Sequence, residues 1–265
     1  MSTNPLISSW QAGRTTYGVW CTMPGSVPAE FIARQGVDYV CVDYQHGLIE
    51  HSTGVPMMQA IEAGGSVPIA RVNWNEPNRI MQVADAGARG VVVPMVNNAA
   101  EAERAARALR FPPHGDRSYG PVRAREVLGT TDPEALADQA CILMIETADG
   151  IKNVREIAAT PGVHALYIGP SDLALAMGLL PNHTPPDAEF VRVIDEIRAA
   201  CKDNGIAAGI QCANGEIAAG YTAQGFDMIT IASDVPLLTG AVRSNLAAAK
   251  RQTGSAASAP PTSNY

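Results

Sequence analysis

Short apolar runs rich in β-branched residues alternate along the chain with longer segments whose apolar positions recur at helical spacing. The short runs predict eight strands: Tyr17–Cys21, Tyr39–Val42, Pro68–Arg71, Gly90–Val93, Ile142–Ile145, Leu166–Ile168, Ala207–Ile210 and Met228–Ile231. The segments between them predict helices over Val27–Gln35, Gly54–Ala63, Asn78–Ala86, Ala100–Leu109, Ile151–Ala158, Asp187–Asp203, Glu216–Gln224 and Val235–Ala249. Gly36, Gly64, Gly87, Gly205 and Gly225 stand where helices should end, the position a left-handed C-cap favours. Eight strand–helix alternations argue for a closed parallel barrel over an open sheet. An open doubly wound sheet is the alternative, but no G-x-G-x-x-G follows the first strand, so its commonest ligand signature is missing. The expected class is α/β, a single (β/α)8 barrel over residues 15–252. The chain's 265 residues match the ~250 typical of one such barrel.

The flanks and two internal stretches break the alternation. Residues 1–14 are polar and irregular and are expected as a loose N-terminal arm. Residues 253–265 (T-G-S-A-A-S-A-P-P-T-S-N-Y) have little to bury and are expected to be a disordered tail. Arg110–Asp132 is expected as a long basic loop carrying Arg110, Arg117, Arg123 and Arg125. Because it follows a helix, it begins at the face opposite the strand C-termini and is expected at an edge or interface. Leu179–Pro186 follows the loop of the sixth strand and is expected as a lid.

Charge and cysteine usage narrow the function. A net charge of −7 gives no electrostatic support for a nucleic-acid partner. No run approaches the ~18 apolar residues of a membrane span, and the polar N-terminus does not read as a signal peptide. The five cysteines (Cys21, Cys41, Cys141, Cys201, Cys212) form no C-x-x-C pair and are expected as buried reduced thiols of a cytoplasmic protein.

The candidate chemistry gathers at strand ends. In Leu166–Gly178 (L-Y-I-G-P-S-D-L-A-L-A-M-G) a buried strand is broken by Gly169 and Pro170, with Ser171 and Asp172 where a helix begins. The preceding strand ends at Glu146 and Thr147. Taken singly, Asp172 could cap a helix and Glu146 could open one. Together they are two hard oxygen ligands at successive strand ends, suited to a divalent cation that keeps several waters. Asp43, Gln45 and His46 follow the second strand, Arg71 ends the third, and Pro94 follows the fourth. Each has a plainer role available: His46 as a turn residue before Gly47, Asp43 as a loop cap, Arg71 as an ion-pair partner in the wall. Their coincidence at one barrel rim favours a shared site. There a 2-oxo acid could chelate the cation, which polarises the ketone, while Arg71 supports the enolate oxygen. Backbone N–H groups around Ser171 and Asp172 could receive the substrate carboxylate. His46, held by Asp43, is the natural base for a carbinol proton.

These residues also sit in recognisable motifs: V-D-Y-Q-H-G (Val42–Gly47), A-R-V (Ala70–Val72), V-V-V-P-M-V (Val91–Val96), F-P-P-H-G-D-R-S-Y-G (Phe111–Gly120), I-E-T (Ile145–Thr147) and I-G-P-S-D-L-A-L-A-M-G (Ile168–Gly178). In this order, over about Tyr17 to Ile231, the chain resembles the class II metal-dependent pyruvate aldolases of the 4-hydroxy-2-oxoheptanedioate aldolase family, which includes 2-keto-3-deoxy sugar acid aldolases. The resemblance implies a TIM barrel, a homo-hexamer built as a trimer of dimers, and Mg²⁺, Mn²⁺ or Co²⁺ at the site. It implies an aldehyde-lyase splitting 4-hydroxy-2-oxo acids into pyruvate, or a related 2-oxo acid, and an aldehyde. Carried over by position, it makes Glu146 and Asp172 the metal ligands, His46 with Asp43 the acid–base pair, and Arg71 the enolate-stabilising group. Asp85 matches an aspartate lent to a neighbouring subunit's site. Gly169, Pro170, Ser171, Asp172, Gln45 and Met144 would border the substrate. Gln45 stands where the family usually has Glu, and Met144 where it usually has Gln; both bear on substrate rather than on fold or metal. Two rivals remain at this stage: a related enzyme that decarboxylates or uses oxaloacetate, and a non-catalytic barrel that keeps the metal site as a relic.

Overall fold

A computed structural model describes residues 2–182 and 187–252. Its strands are β1 (Thr16–Cys21), β2 (Tyr39–Asp43), β3 (Val67–Arg71), β4 (Gly90–Val93), β5 (Ala140–Ile145), β6 (Ala165–Ile168), β7 (Ala207–Gln211) and β8 (Met228–Ser233). They close in sequence order into a parallel barrel, β8 pairing back onto β1. This is the (β/α)8 TIM barrel that the alternation predicts.

Strand periodicity places the rim chemistry. On β2, Tyr39 and Cys41 join the cluster inside the barrel, while Val40 and Val42 pack under the helices. Ile69 on β3, Ile142 and Met144 on β5, Ala165 and Tyr167 on β6, and Ala207 on β7 likewise face inward. Successive side chains alternate faces, so each inward series continues in steps of two to the C-terminal rim. It arrives there at Asp43, Arg71, Glu146, Gly169 and Gln211. Below the rim, Gly18 and Gly209 make room for two large rings: a Cβ at Gly18 would stand 2.2 Å from the Tyr39 ring, and one at Gly209 2.6 Å from the Tyr167 ring.

The opposite face is closed by the N-terminal segment, which is a helix (Pro5–Gln11) and not a loose arm. Pro5 opens it, and the Asn4 side chain accepts from the Leu6 and Ile7 amides. Leu6 and Ile7 are buried in the inner cluster. The Asn4 amide also donates to Arg89 O (2.6 Å) and Asp138 O (2.8 Å), tying the helix to the feet of β4 and β5. Trp10, near the end of the helix, packs against the same cluster.

Other boundaries differ locally. The long basic loop contains a helix, Val122–Leu128, and is pinned by buried Arg117, which bonds to Leu109 O, Leu136 O and Gln139 Oε1. The helix expected over Ile151–Ala158 is two short ones, Ala148–Lys152 and Val154–Ala158, the first capped by Thr147. Gly65, at φ +93°, takes the C-cap expected of Gly64. Residues 183–186 of the expected lid, and the expected tail 253–265, lie outside the described residues.

His164, at the foot of β6, makes this face acid-sensitive. Its Nδ1 accepts the Cys141 N–H at 3.0 Å. Burial, then the Arg110 charge, holds its pKa down to about 4. The native imidazole is neutral, whereas the unfolded one gains a proton below its ordinary ~6.5. Stability contributed here is therefore intact above that pH and falls as pH drops toward 4, by roughly 3 kcal/mol in all. His164→Asn should flatten this part of the denaturant-unfolding profile between pH 7 and 4. An unchanged profile would show that other groups set the acid limit.

Candidate active site

Asp43 and Arg71 are direct partners in the β2–β3 ladder, both nearly buried. The Arg71 guanidinium grips Asp43 with two hydrogen bonds, Nε to Oδ1 at 2.9 Å and Nη2 to Oδ2 at 2.6 Å. Trp20 covers it, its ring centroid 4.4 Å from the guanidinium carbon. Burial opposes the Arg71 charge, but bonding to Asp43 outweighs it and the pKa is raised. The fork leaves Nη1, whose nearest hydrogen-bonding atom is the weakly accepting Met144 sulfur at 3.9 Å. Asp43 Oδ1 also accepts the backbone N–H groups of Gln45 (3.0 Å) and His46 (3.3 Å). The expected support of His46 by Asp43 is thus made at the backbone and not at the imidazole, the carboxylate being turned to Arg71. The His46 side chain is exposed at the mouth.

Glu146 is nearly buried just past β5. Its Oε1 accepts the Met95 N–H at 2.8 Å. Met95 holds φ +59°, a left-handed conformation unfavourable for a residue with a Cβ and a common companion of functional sites. Gly169 lets the β6 chain pass close by: a Cβ there would stand 2.6 Å from Glu146 Oε2. Burial, with the Asp172 charge, raises the Glu146 pKa to about 7 against the Met95 hydrogen bond and the Arg71 charge. Two neighbouring carboxylates, one of them desolvated, are stabilised by a cation between them. Among the described residues no group of three or more His, Cys, Asp or Glu could hold a metal. Two carboxylates would suit a hard divalent ion that keeps water or substrate oxygens as its other ligands.

A pocket of about 240 Å³ joins these parts. Its wall includes Asp43, His46, Arg71, Met144, Gly169, Pro170, Ser171 and Asp172, with Glu146 directly behind Gly169. Gln45 and Asp85 are not among its lining residues. The buried Gln45 Oε1 has no hydrogen-bond partner. Asp85 lies at the end of the helix Pro77–Asp85, held by Arg117 at 2.7 Å. The remaining wall, Trp20, Thr22, Tyr167, Gln211 and Ser233, closes the pocket over β1, β6, β7 and β8. Sequence reasoning missed it because it ended β7 and β8 short, at Ile210 and Ile231, and so left Gln211 and Ser233 off the rim.

Residues 17–241 match the family model described as HpcH/HpaI aldolase/citrate lyase. The chain belongs to the HpcH/HpaI aldolase/citrate lyase family. It is 38% identical over 248 residues to a hydroxypyruvate/pyruvate aldolase of Rhizorhabdus wittichii, covering 93% of this chain and 99% of that one. It is 35% identical over 239 residues to a 4-hydroxy-2-oxo-heptane-1,7-dioate aldolase of Escherichia coli, covering 89% and 90%. The crystal structure of an HpcH/HpaI aldolase/citrate lyase family protein from Burkholderia cenocepacia superposes with a TM-score of 0.85 at 32% identity, covering 94% of this chain and 100% of that one. The protein is accordingly an enzyme, a lyase of the aldolase type, and the reading as a non-catalytic barrel is set aside. No helix of the described residues is long and apolar enough to cross a membrane.

Proposed function

We propose that this aldolase reversibly cleaves 4-hydroxy-2-oxo acids into pyruvate, or a related 2-oxo acid, and an aldehyde, and that it requires a divalent metal. The observation that carries the reading is the fork of Arg71 on Asp43, which leaves Nη1 unbonded to Asp43 and near two carboxylates, the buried Glu146 and the exposed Asp172 of the pocket wall. Glu146 and Asp172 would hold Mg²⁺, Mn²⁺ or Co²⁺. Such an ion supplies Lewis acidity and a chelating anchor for the 2-oxo acid head. Arg71 Nη1 donates to the keto oxygen as charge develops there, and Asp43 keeps the guanidinium from swinging away. The Ser171 and Asp172 amides receive the substrate carboxylate. His46 takes the proton of the C4 hydroxyl, the C3–C4 bond breaks, the aldehyde leaves, and the enolate regains a proton at C3. Pyruvate release from a panel of 4-hydroxy-2-oxo acids tests this; a purified, metal-loaded protein releasing none would end it.

The family resemblance further suggests a homo-hexamer, a trimer of dimers, in a cytoplasmic setting, the latter supported by five buried, unpaired cysteines. Association is supported by the helix Asp234–Gln252, on which Val235, Leu238, Val242 and Leu246 form an exposed apolar stripe. Asp85, outside its own chain's pocket, would then serve a neighbour's. Light scattering should give an oligomer at micromolar concentration. A monomer would overturn the assembly and the role of Asp85 together.

A further inference from the structure

Behind Glu146 lies a side chain that the reaction above does not use. The Asn97 amide makes three hydrogen bonds: Nδ2 donates to Met95 O at 2.8 Å and to Glu101 Oε2 at 3.0 Å, and Oδ1 accepts the Thr147 hydroxyl at 2.6 Å. Turning the amide over would set Oδ1 against two acceptors, the Met95 carbonyl and the Glu101 carboxylate, so its orientation is fixed. Two of these bonds lead to Glu146 by different routes. Thr147 follows it in the chain, and Met95 donates its backbone N–H to Glu146 Oε1 at 2.8 Å.

The neighbouring helices do not need this amide. At the start of the helix Ala99–Ala108, the Asn98 side chain accepts the Glu101 N–H at 3.0 Å, and Glu101 reaches back to the Asn97 N–H at 2.8 Å. That cap is made by Asn98, Glu101 and only the backbone of Asn97. Thr147 caps its own helix by accepting the Gly150 N–H at 2.9 Å, which leaves its proton for Asn97. The Asn97 amide is therefore spent on Met95. Met95 stands at φ +59°, a left-handed conformation that a residue with a Cβ leaves unless it is held. This φ sets the angle between two peptides: the one whose carbonyl Asn97 grips and the one whose N–H Glu146 receives. Gripping the first aims the second.

The two oxygens of Glu146 are thereby given different tasks. Oε1 is engaged by Met95, whereas Oε2 faces the backbone of Gly169, where a Cβ would stand 2.6 Å away. Gly169 opens the short segment that carries Asp172. We propose that Asn97 is a positioning residue: it holds Met95 left-handed, so that Oε1 of Glu146 is tied to the protein and Oε2 is the oxygen offered to the divalent metal. One fixed oxygen leaves the ion's other positions to water and substrate. Without Asn97 the Met95 peptide can relax, the carboxylate can turn, and the metal must order it on binding. The inference rests on the metal-dependent reading above.

The test is Mn²⁺ binding to the full chain by calorimetry, with the fold of each variant checked by circular dichroism. Asn97→Ala should weaken binding ~10–100-fold, the usual cost of losing a group that orients a metal ligand. The double variant Met95→Gly with Asn97→Ala should bind about tenfold more tightly than Asn97→Ala alone, because glycine takes the left-handed conformation without being held. A side chain that serves only the fold would lower the unfolding midpoint of Asn97→Ala and leave its metal affinity unchanged, which overturns the proposal. A double variant no tighter than Asn97→Ala also overturns it. Asn97→Asp carries the test should the alanine variant not fold. It keeps an acceptor for Thr147 and loses the donors, while its added charge would by itself draw the metal in. It should still bind more weakly than wild type; equal or tighter binding counts against Asn97. The wild type keeps the two readings apart. Metal bound equally well by wild type and the Asn97 variants removes the role of Asn97 only, whereas a wild type that binds no divalent ion removes the metal-dependent reading and this inference with it.

Discussion

Chelation should abolish pyruvate release, and Mg²⁺ or Mn²⁺ should restore it. Glu146 is desolvated beside Asp172, and the Arg71 charge offsets this only in part because its guanidinium is bonded to Asp43. The three lysines, Lys152, Lys202 and Lys250, all lie in helices and none lines the pocket, so an imine has no candidate amine. Glu146→Gln preserves shape and the Met95 hydrogen bond while removing charge. It should cost on the order of 10³-fold in kcat, since a Lewis acid supplies several kcal/mol and each ~1.4 kcal/mol is tenfold. Calorimetric metal binding should weaken in parallel. Full turnover in chelator, or a borohydride-trapped pyruvate adduct, would place the chemistry elsewhere.

Most of the barrel was legible because each strand is a short apolar run and each helix an amphipathic one, so periodicity alone separates them. The rim was legible in part for the same reason. Asp43, Arg71 and Glu146 stand where an inward-facing series leaves the core, and a charged residue there stands out. What stayed hidden was lateral. That Asp43 faces Arg71 and not the His46 imidazole follows from the register of β2 on β3, which no single strand encodes. Gln211 and Ser233 were hidden differently: a polar residue ending an apolar run reads as loop, although here it is still strand. The helix Pro5–Gln11 shows a third limit. Its two buried apolar residues are too few to announce a helix, and the Asn4 cap gains meaning only against the barrel floor it closes.

Arg71 and His46 should separate when different reactions of the same enzyme are compared, because charge and proton develop at different atoms. Arg71 serves the enolate oxygen, which aldol cleavage, oxaloacetate decarboxylation and pyruvate proton exchange all share. Arg71→Ala should therefore depress all three, by ~10²–10³-fold for the loss of one charge-stabilising donor. His46 moves the carbinol proton, which only the aldol step contains. His46→Ala should slow aldol cleavage by ~10²–10⁴-fold and spare decarboxylation. Asp43 decides between two views of the site. If it oriented the imidazole, Asp43→Asn would behave as His46→Ala does. Since its carboxylate grips the guanidinium at 2.6 and 2.9 Å, Asp43→Asn should instead slow all three reactions, as Arg71→Ala does. Breaking a buried ion pair also costs ~3–5 kcal/mol of stability, so each variant needs its fold and metal content measured before rates are compared. Equal losses in cleavage and decarboxylation for His46→Ala, with metal bound and fold intact, would move the histidine to the enolate. An Asp43→Asn protein that still decarboxylates at the wild-type rate would return the aspartate to the histidine.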